Sequence, residues 1–301
     1  MHELKTNARV SSNKKQPKAK RPIPSLIKWT GSKRGQAPAI VELLPEYQRY
    51  IEPFLGGGAV LFLAARSGAL ASDVYEPLIQ LWKLVQDDPD ALVSNYANQW
   101  STLQQELDSL DASQRTKRSG IPEYYYAVRS RFNETHNPLD LNFLMRTCVN
   151  GIVRFNNAGA FNNSFHLSRR GMSPDRFEKV VGTWQDVVHD VTFTCQDYEL
   201  ALEEATADDF VYLDPPYAGN QQRYVENLDL ARFFNALDRL NRHGVRWALS
   251  FDGRRGENDL THAVPPELFQ RRLVLASGNS AVHKVLNGPL EEVHESLYLN
   301  Y

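Results

Sequence analysis

Cysteine is scarce in this chain. Its two residues, Cys148 and Cys195, stand at no metal-ligand spacing. That excludes a zinc module or a disulfide-stapled scaffold, and both read as free thiols of a reducing cytoplasm. No metal is expected. Long apolar runs are missing too: nothing approaches the roughly 20 residues of a membrane-spanning helix. The first residues have no apolar core of the kind a secretory signal carries. Nor does any self-similarity recur at the roughly 20–50-residue periods of solenoid repeats. What remains is a 301-residue chain with 42% hydrophobic residues, enough for a sizeable buried core.

Acidic residues are absent where basic ones gather. Lys5, Arg9, Lys14, Lys15, Lys18, Lys20 and Arg21 face Glu3 alone, whereas the whole chain has a formal net charge of −2. Residues 1–24, with Pro17, Pro22 and Pro24 and almost no large apolar side chain, read as a disordered basic arm. Such an arm suits contact with a polyanion or serves as a solubilising tail.

From there the pattern is α/β. Tyr50–Phe54 reads as a buried strand, Gly56-Gly57-Gly58 as a turn, Ala59–Ala65 as a helix and Gly68–Val74 as a second strand ending at Asp73. Strand, helix, strand at this spacing implies a right-handed βαβ unit. Residues 88 to about 140 read as helical, and 150–170 as a hairpin or extended loop. Strands follow at Val191–Cys195, Phe210–Leu213, Val245–Ser250, Gln270–Ala276 and Val293–Asn300, with an amphipathic helix at Leu230–Asn241. The expected fold is therefore a doubly wound, Rossmann-like sheet with an inserted, mainly helical lobe carrying a β-hairpin. The sheet domain takes residues 25–87 and 171–301, and the lobe 88–170.

Two motifs carry chemistry. Glu52-Pro53-Phe54-Leu55-Gly56-Gly57-Gly58 sits where open α/β sheets bind ligands, and its glycines let a ligand approach the backbone. Asp73, at the end of the next strand, is the type of acid that holds ribose hydroxyls. A dinucleotide dehydrogenase is a competitor at this point, although the spacing is not Gly-x-Gly-x-x-Gly. Asp214-Pro215-Pro216-Tyr217 follows an apolar strand. Its two prolines stiffen the turn, remove two N–H donors and leave their carbonyls as acceptors. With the Asp214 carboxylate and the Tyr217 ring, the motif suits a planar group bearing an NH₂. Acceptors placed where positive charge develops on that nitrogen would favour its attack on a methyl sulfonium.

Together, Lys28-Trp29-Thr30-Gly31-Ser32-Lys33, the glycine motif and Asp214-Pro215-Pro216-Tyr217, in that order, resemble the Dam-type, class alpha DNA adenine-N6 methyltransferases over nearly the whole chain from about residue 25. The resemblance implies S-adenosylmethionine as cofactor and double-stranded DNA as substrate, with the target adenine flipped out of the duplex. It implies that Trp29, Lys33, Asp73 and Asp214 contact the cofactor. Glu52, Pro53, Phe54, Gly56 and Gly58 would wall its pocket, and Asp197 and Tyr198 would flank its adenine. Asp214, Pro215, Pro216 and Tyr217 would be catalytic. Other expected partners are a cognate restriction endonuclease, where the enzyme belongs to a restriction system, and at most a weak dimer; no membrane is expected. Ser32 replaces the family's usual second glycine.

Residues 141–170 contain Arg146, Arg154, Arg169 and Arg170 and no acid, interleaved with asparagines and phenylalanines. Arg suits guanine edges, Asn suits adenine, and both also hold phosphate. By the same resemblance Arg154 would read a base, with Asn150, Ile152, Asn156, Asn162 and Ser164 around it. Val149 stands where GATC-specific relatives carry an aromatic, and Asn163-Ser164-Phe165-His166 replaces their Val-Pro-Phe-Gly. GATC is thus a candidate site only. Arg115, Lys117, Arg118, Arg129 and Arg131 suit phosphate contacts or a solvated helix face. Cytosine-C5 methylation is rejected, because neither cysteine lies in a Pro-Cys turn. Cytosine-N4 methylation is the nearest alternative, and a catalytically inactive DNA-binding protein with the same core is the alternative of another class.

Overall fold

The computed structural model describes residues 23–110, 121–216, 228–255, 258–259, 264–279 and 292–301. The basic stretch 1–22, the break at Gly120, Arg115, Lys117, Arg118 and Tyr217 lie outside the described residues. Ile23 and Pro24, at the end of the expected arm, are tied to the fold. Ile23 is buried and its carbonyl accepts from Arg34 at 2.7 Å, while the Pro24 carbonyl accepts from the Trp184 indole at 2.9 Å.

Strands β1 (Arg49–Glu52), β2 (Leu70–Asp73), β3 (Thr192–Cys195), β4 (Asp209–Leu213), β5 (Arg246–Arg255), β7 (Arg271–Asn279) and β8 (Glu292–Leu299) form one sheet in the order β3-β2-β1-β4-β5-β8-β7. A two-residue strand, β6 (Asn258–Asp259), pairs with β5. The first five are parallel, and β8 runs antiparallel between β5 and β7. The central strands β1, β2 and β4 are short and buried on both faces, while the edge strand β3 is partly exposed; side chains of β1 and β4 alternate between two apolar layers. Tyr50 and Phe210 point into one layer; Ile51, Val211 and Leu213 point into the other.

One layer is formed by α1 (Ala37–Val41), α2 (Leu61–Ala64), α3 (Glu76–Asp87) and α7 (Pro174–Val188); the other by α8 (Tyr198–Glu203) and α9 (Leu230–Arg242). Local sequence sets the helix starts. Asp88-Pro89 begins α4 (Pro89–Ser109) and Asn137-Pro138 begins α6 (Pro138–Thr147), each with the Asx side chain accepting a first-turn N–H and proline where no donor is needed. Helix α9 buries Phe233, Ala236, Leu237 and Leu240, the stripe of an amphipathic helix.

Helix α4 packs onto α3 and α7, α6 onto α3, and α5 (Glu123–Thr135) onto α4 and α6; all share one apolar cluster. The expected hairpin is reduced to two isolated antiparallel bridges, Cys148–Phe165 and Phe155–Phe161. Side chains, more than a ladder, hold this segment. The buried Asn163 donates to the Val149 and Ile152 carbonyls at 2.9 and 2.8 Å. Asn133 spans Phe161, accepting from its N–H and donating to its carbonyl. Both cysteines are free thiols, Cys148 buried and Cys195 exposed. No described helix is long and apolar enough to cross a membrane.

Candidate active site

Strand order reverses between β1 and β4: β1 leads leftward to β2 and β3, β4 rightward to β5. The carboxyl ends of such strands diverge and leave a crevice. Here a cleft opens there, lined by Trp29–Lys33, Glu52–Val60, Asp73–Tyr75, Asp197, Tyr198, Asp214 and Pro216. Thus the two motifs, more than 150 residues apart in sequence, face one cavity.

The glycine turn is shaped by tryptophans. Gly56 and Gly58 have φ of +48° and +62°, and a Cβ on either would come within 2.9 Å of Trp29 or Trp82. Close backbone packing against indoles therefore demands these glycines independently of any ligand. The Trp82 indole in turn donates to the Gly56 carbonyl at 3.1 Å. Asp73 fixes the turn to the end of β2: its two oxygens accept from Gly56 N and Tyr75 N, both at 3.1 Å. Burial raises its carboxyl above the usual aspartate range.

Lys33, almost fully buried at 4% exposure, points its ammonium at Asp214 Oδ1, 2.7 Å away. Burial pushes the Asp214 carboxyl up to about 6; Lys33 draws it down and Glu295 opposes that. Glu52, behind them, accepts from the Tyr50 hydroxyl at 2.6 Å, and burial pushes it up to about 8. It is thus mostly protonated at neutral pH and adds little negative charge to the cleft. Pro215 is buried and Pro216 lines the cleft.

At the far end, Asp197 caps α8, accepting from Glu199 N at 2.9 Å, and is paired with both terminal nitrogens of Arg232 at 2.8 and 3.2 Å. The Arg232 guanidinium lies 5.3 Å from the Tyr198 ring centroid. The hydroxyls of Tyr75 and Tyr198 are buried without a hydrogen-bond partner among the described residues. Buried polar groups are rarely left so, and both residues line the cleft. A nucleoside matches the whole set: apolar walls from Trp29, Phe54 and Tyr198, and carboxylates at two strand ends.

Four site residues were not picked out from the sequence. Tyr75 packs against Trp29 at a tilt and against Phe155 edge-on, with ring centroids 5.7 and 5.3 Å away. Phe155, one of the phenylalanines of the Arg/Asn segment, is a wall of the cleft. Arg232 and Glu295 came from segments read simply as a helix and a closing strand. Only Tyr75, two residues past Asp73, had a signal in its position.

The Arg/Asn segment divides sharply. Asn150, Arg154, Asn156 and Ser164 are exposed, and Ile152 and Asn162 are partly so. Asn150 and Gly151 adopt left-handed φ of 57° and 64°, which throws this turn outward. Arg154 Nε donates to Asn162 Oδ1 at 2.9 Å, and Asn156 Oδ1 accepts from Ala158 N and Ala160 N at 3.0 Å each. Arg146 does not face outward with them: it is buried, bonded to Asn142 and the Leu26 carbonyl, and lies over the Phe177 ring. Arg131 is committed to the buried Asp140, bonded by both nitrogens at 2.8 and 2.5 Å, and Arg129 stacks on Tyr126. Arg131 nevertheless stays half exposed, and Arg129 partly so.

Fold and cleft together define a doubly wound α/β protein with a ligand-sized cleft at its topological switch point, onto which Asp214 and Pro216 open. The profile of the D12 class N6 adenine-specific DNA methyltransferase family matches residues 29–262, and the chain belongs to that family. Membership implies S-adenosylmethionine as methyl donor and DNA as substrate. It is similar to the type II methyltransferase M.MjaIII of Methanocaldococcus jannaschii, 33% identical over 247 residues that cover 72% of this chain and 81% of that one. The DNA N-6-adenine-methyltransferase of Escherichia phage P1 is 30% identical over 286 residues, 87% of this chain but 35% of the phage protein. The DNA adenine methylase of Vibrio cholerae is 27% identical over 198 residues, 64% and 65% of the two chains.

Proposed function

We propose that this protein transfers a methyl group from S-adenosylmethionine to the N6 amine of an adenine flipped out of duplex DNA. The observation that carries this reading is the opening of Asp214 and Pro216 onto the cleft formed by Trp29, Phe54, Gly56, Asp73, Asp197 and Tyr198. The bound cofactor supplies an electrophilic methyl on a sulfonium. Asp73 accepts from ribose hydroxyls with the lone pairs its backbone bonds leave, and Asp197 and Tyr198 hold the adenine end. Trp29, Lys33, Glu52, Pro53, Phe54 and Gly58 complete that wall. Asp214 and the Pro215 carbonyl accept from the target amine, drawing its lone pair out of conjugation; Pro216 and Tyr217 hold the base. The cleft excludes water from the acceptor and strengthens these bonds.

Residues 88–170 form the DNA-reading lobe in this reading, and 25–87 with 171–301 the catalytic part, in a cytoplasmic protein. Arg154, exposed beside the left-handed Asn150-Gly151 turn, reads a base of the site, with Asn150, Ile152, Asn156, Asn162 and Ser164 as its neighbours. The test uses the full chain, labelled donor and a mixed-sequence duplex, with nucleoside digestion and mass spectrometry. N6-methyladenine is expected; N4-methylcytosine would transfer the reading to the cytosine alternative, and bound donor without product would leave a binding protein. Modification-sensitive sequencing of the same DNA gives the site, and Arg154→Ala is expected to relax it at one position, costing about 1–3 kcal/mol of discrimination.

A further inference from the structure

Lys33 is shared. Its ammonium lies 2.7 Å from Asp214 Oδ1 and 3.7 Å from Glu295 Oε1, and it donates to the Gly31 carbonyl at 3.2 Å. Asp214 and Lys33 line the cleft, and Glu295 is not among its lining residues. Glu295 belongs to β8, the antiparallel strand, and pairs with Gly253 of β5 just past a shift in register. It also lies beyond the residues matched by the family profile, which end at 262. Both carboxylates and the lysine are largely shielded from water, with side-chain exposures of 19%, 14% and 4%. Their Coulombic coupling is therefore stronger than it would be on an open surface.

We propose that Glu295 is a positioning residue that divides the Lys33 ammonium between two carboxylates and so keeps Asp214 a strong acceptor for the substrate amine. With Asp214 as sole partner, the ammonium would neutralise the acceptor it holds. With Glu295 on the opposite side, the three groups bear a net negative charge, and Lys33 orients Asp214 without cancelling it. The other groups facing Asp214 are Glu52, which stays protonated at neutral pH, and the Tyr212 phenol, whose hydroxyl is engaged with Ser250 at 2.8 Å. Of these neighbours, Glu295 is the carboxylate that shares the Lys33 ammonium with Asp214.

This inference rests on Asp214 as amine acceptor, and the test separates the two. Methyl transfer to duplex DNA is measured against pH for the wild type, Glu295→Gln and Glu295→Ala. Asp214 is also titrated directly in the donor-free protein by carbonyl ¹³C NMR with labelled aspartate, assigned by the loss of its signal in Asp214→Asn. Removing the Glu295 charge removes a repulsion on ionised Asp214, so the acid limb and the NMR midpoint both move to lower pH, by about one pH unit. The plateau rate falls about tenfold with donor KM unchanged, the pattern of a weakened transition-state contact. A residue that only staples β8 would change thermal stability and leave limb and midpoint in place. Unmoved values in folded Glu295→Gln therefore overturn the inference while leaving the acceptor reading intact. Full activity in Asp214→Asn overturns both.

Discussion

Asp214→Ala is expected to abolish methyl transfer, lowering kcat by roughly 10³-fold or more, with duplex binding retained. The carboxylate is the one anionic acceptor among the catalytic motif residues. The exposed Arg154 turn, proposed to read DNA, belongs to a different segment and keeps its own bonds to Asn162. Loss of folding does not explain such a result. The Asp214 carboxyl is pushed up to about 6, chiefly by burial, so above that pH the fold holds a charge less comfortably than the unfolded chain does. Asp214→Asn should accordingly unfold at a temperature no lower than the wild type at pH 8, a thermal-melt measurement that separates chemistry from structure.

The same group sets the pH dependence of the wild type. The acceptor is the ionised form, so the rate follows the ionised fraction: flat above a pH of about 6, then falling about tenfold per unit below it. A limb near the usual aspartate range, around pH 4, would mean that a different group limits the reaction.

Much of this site was legible in the sequence because the physics that builds it is local. A glycine triplet after a buried strand, an acid closing the next strand, and two prolines after an apolar strand each declare a backbone geometry. Parallel strands buried on both faces read as apolar runs wherever they lie. The rest depended on tertiary neighbours. Arg146 sits in an Arg-rich helix end that looks like surface, yet a buried backbone carbonyl, Asn142 and aromatic faces receive it. The 150–170 segment reads as a hairpin or extended loop, and in the fold three asparagine side chains replace most of a hairpin's ladder. Glu295 reads as the polar side of a closing strand until the sheet order places β8 next to β5 and turns it toward Lys33.

Lys33→Met should be nearly as damaging as loss of Asp214, and its pH profile should shift in the opposite direction to that of Glu295→Gln. Methionine keeps the unbranched apolar stem in its buried channel and removes the charge. Asp214 and Glu295 then share a shielded space without a cation, and two like charges there cannot both ionise freely. The acid limb should move up by about one to two pH units, and the rate at pH 7 should fall about 100-fold. Pairing the two substitutions is the sharper measurement. If Glu295 and Lys33 both act on Asp214 through their charges, the two opposite shifts add, and removing both charges returns the limb most of the way toward that of the wild type. If Lys33 only grips the cofactor, Lys33→Met raises donor KM and leaves the limb near 6, and the double variant adds nothing. Because the limb reports the charge on one carboxylate and KM reports the grip on the donor, the four profiles of this cycle assign the lysine to one role or the other.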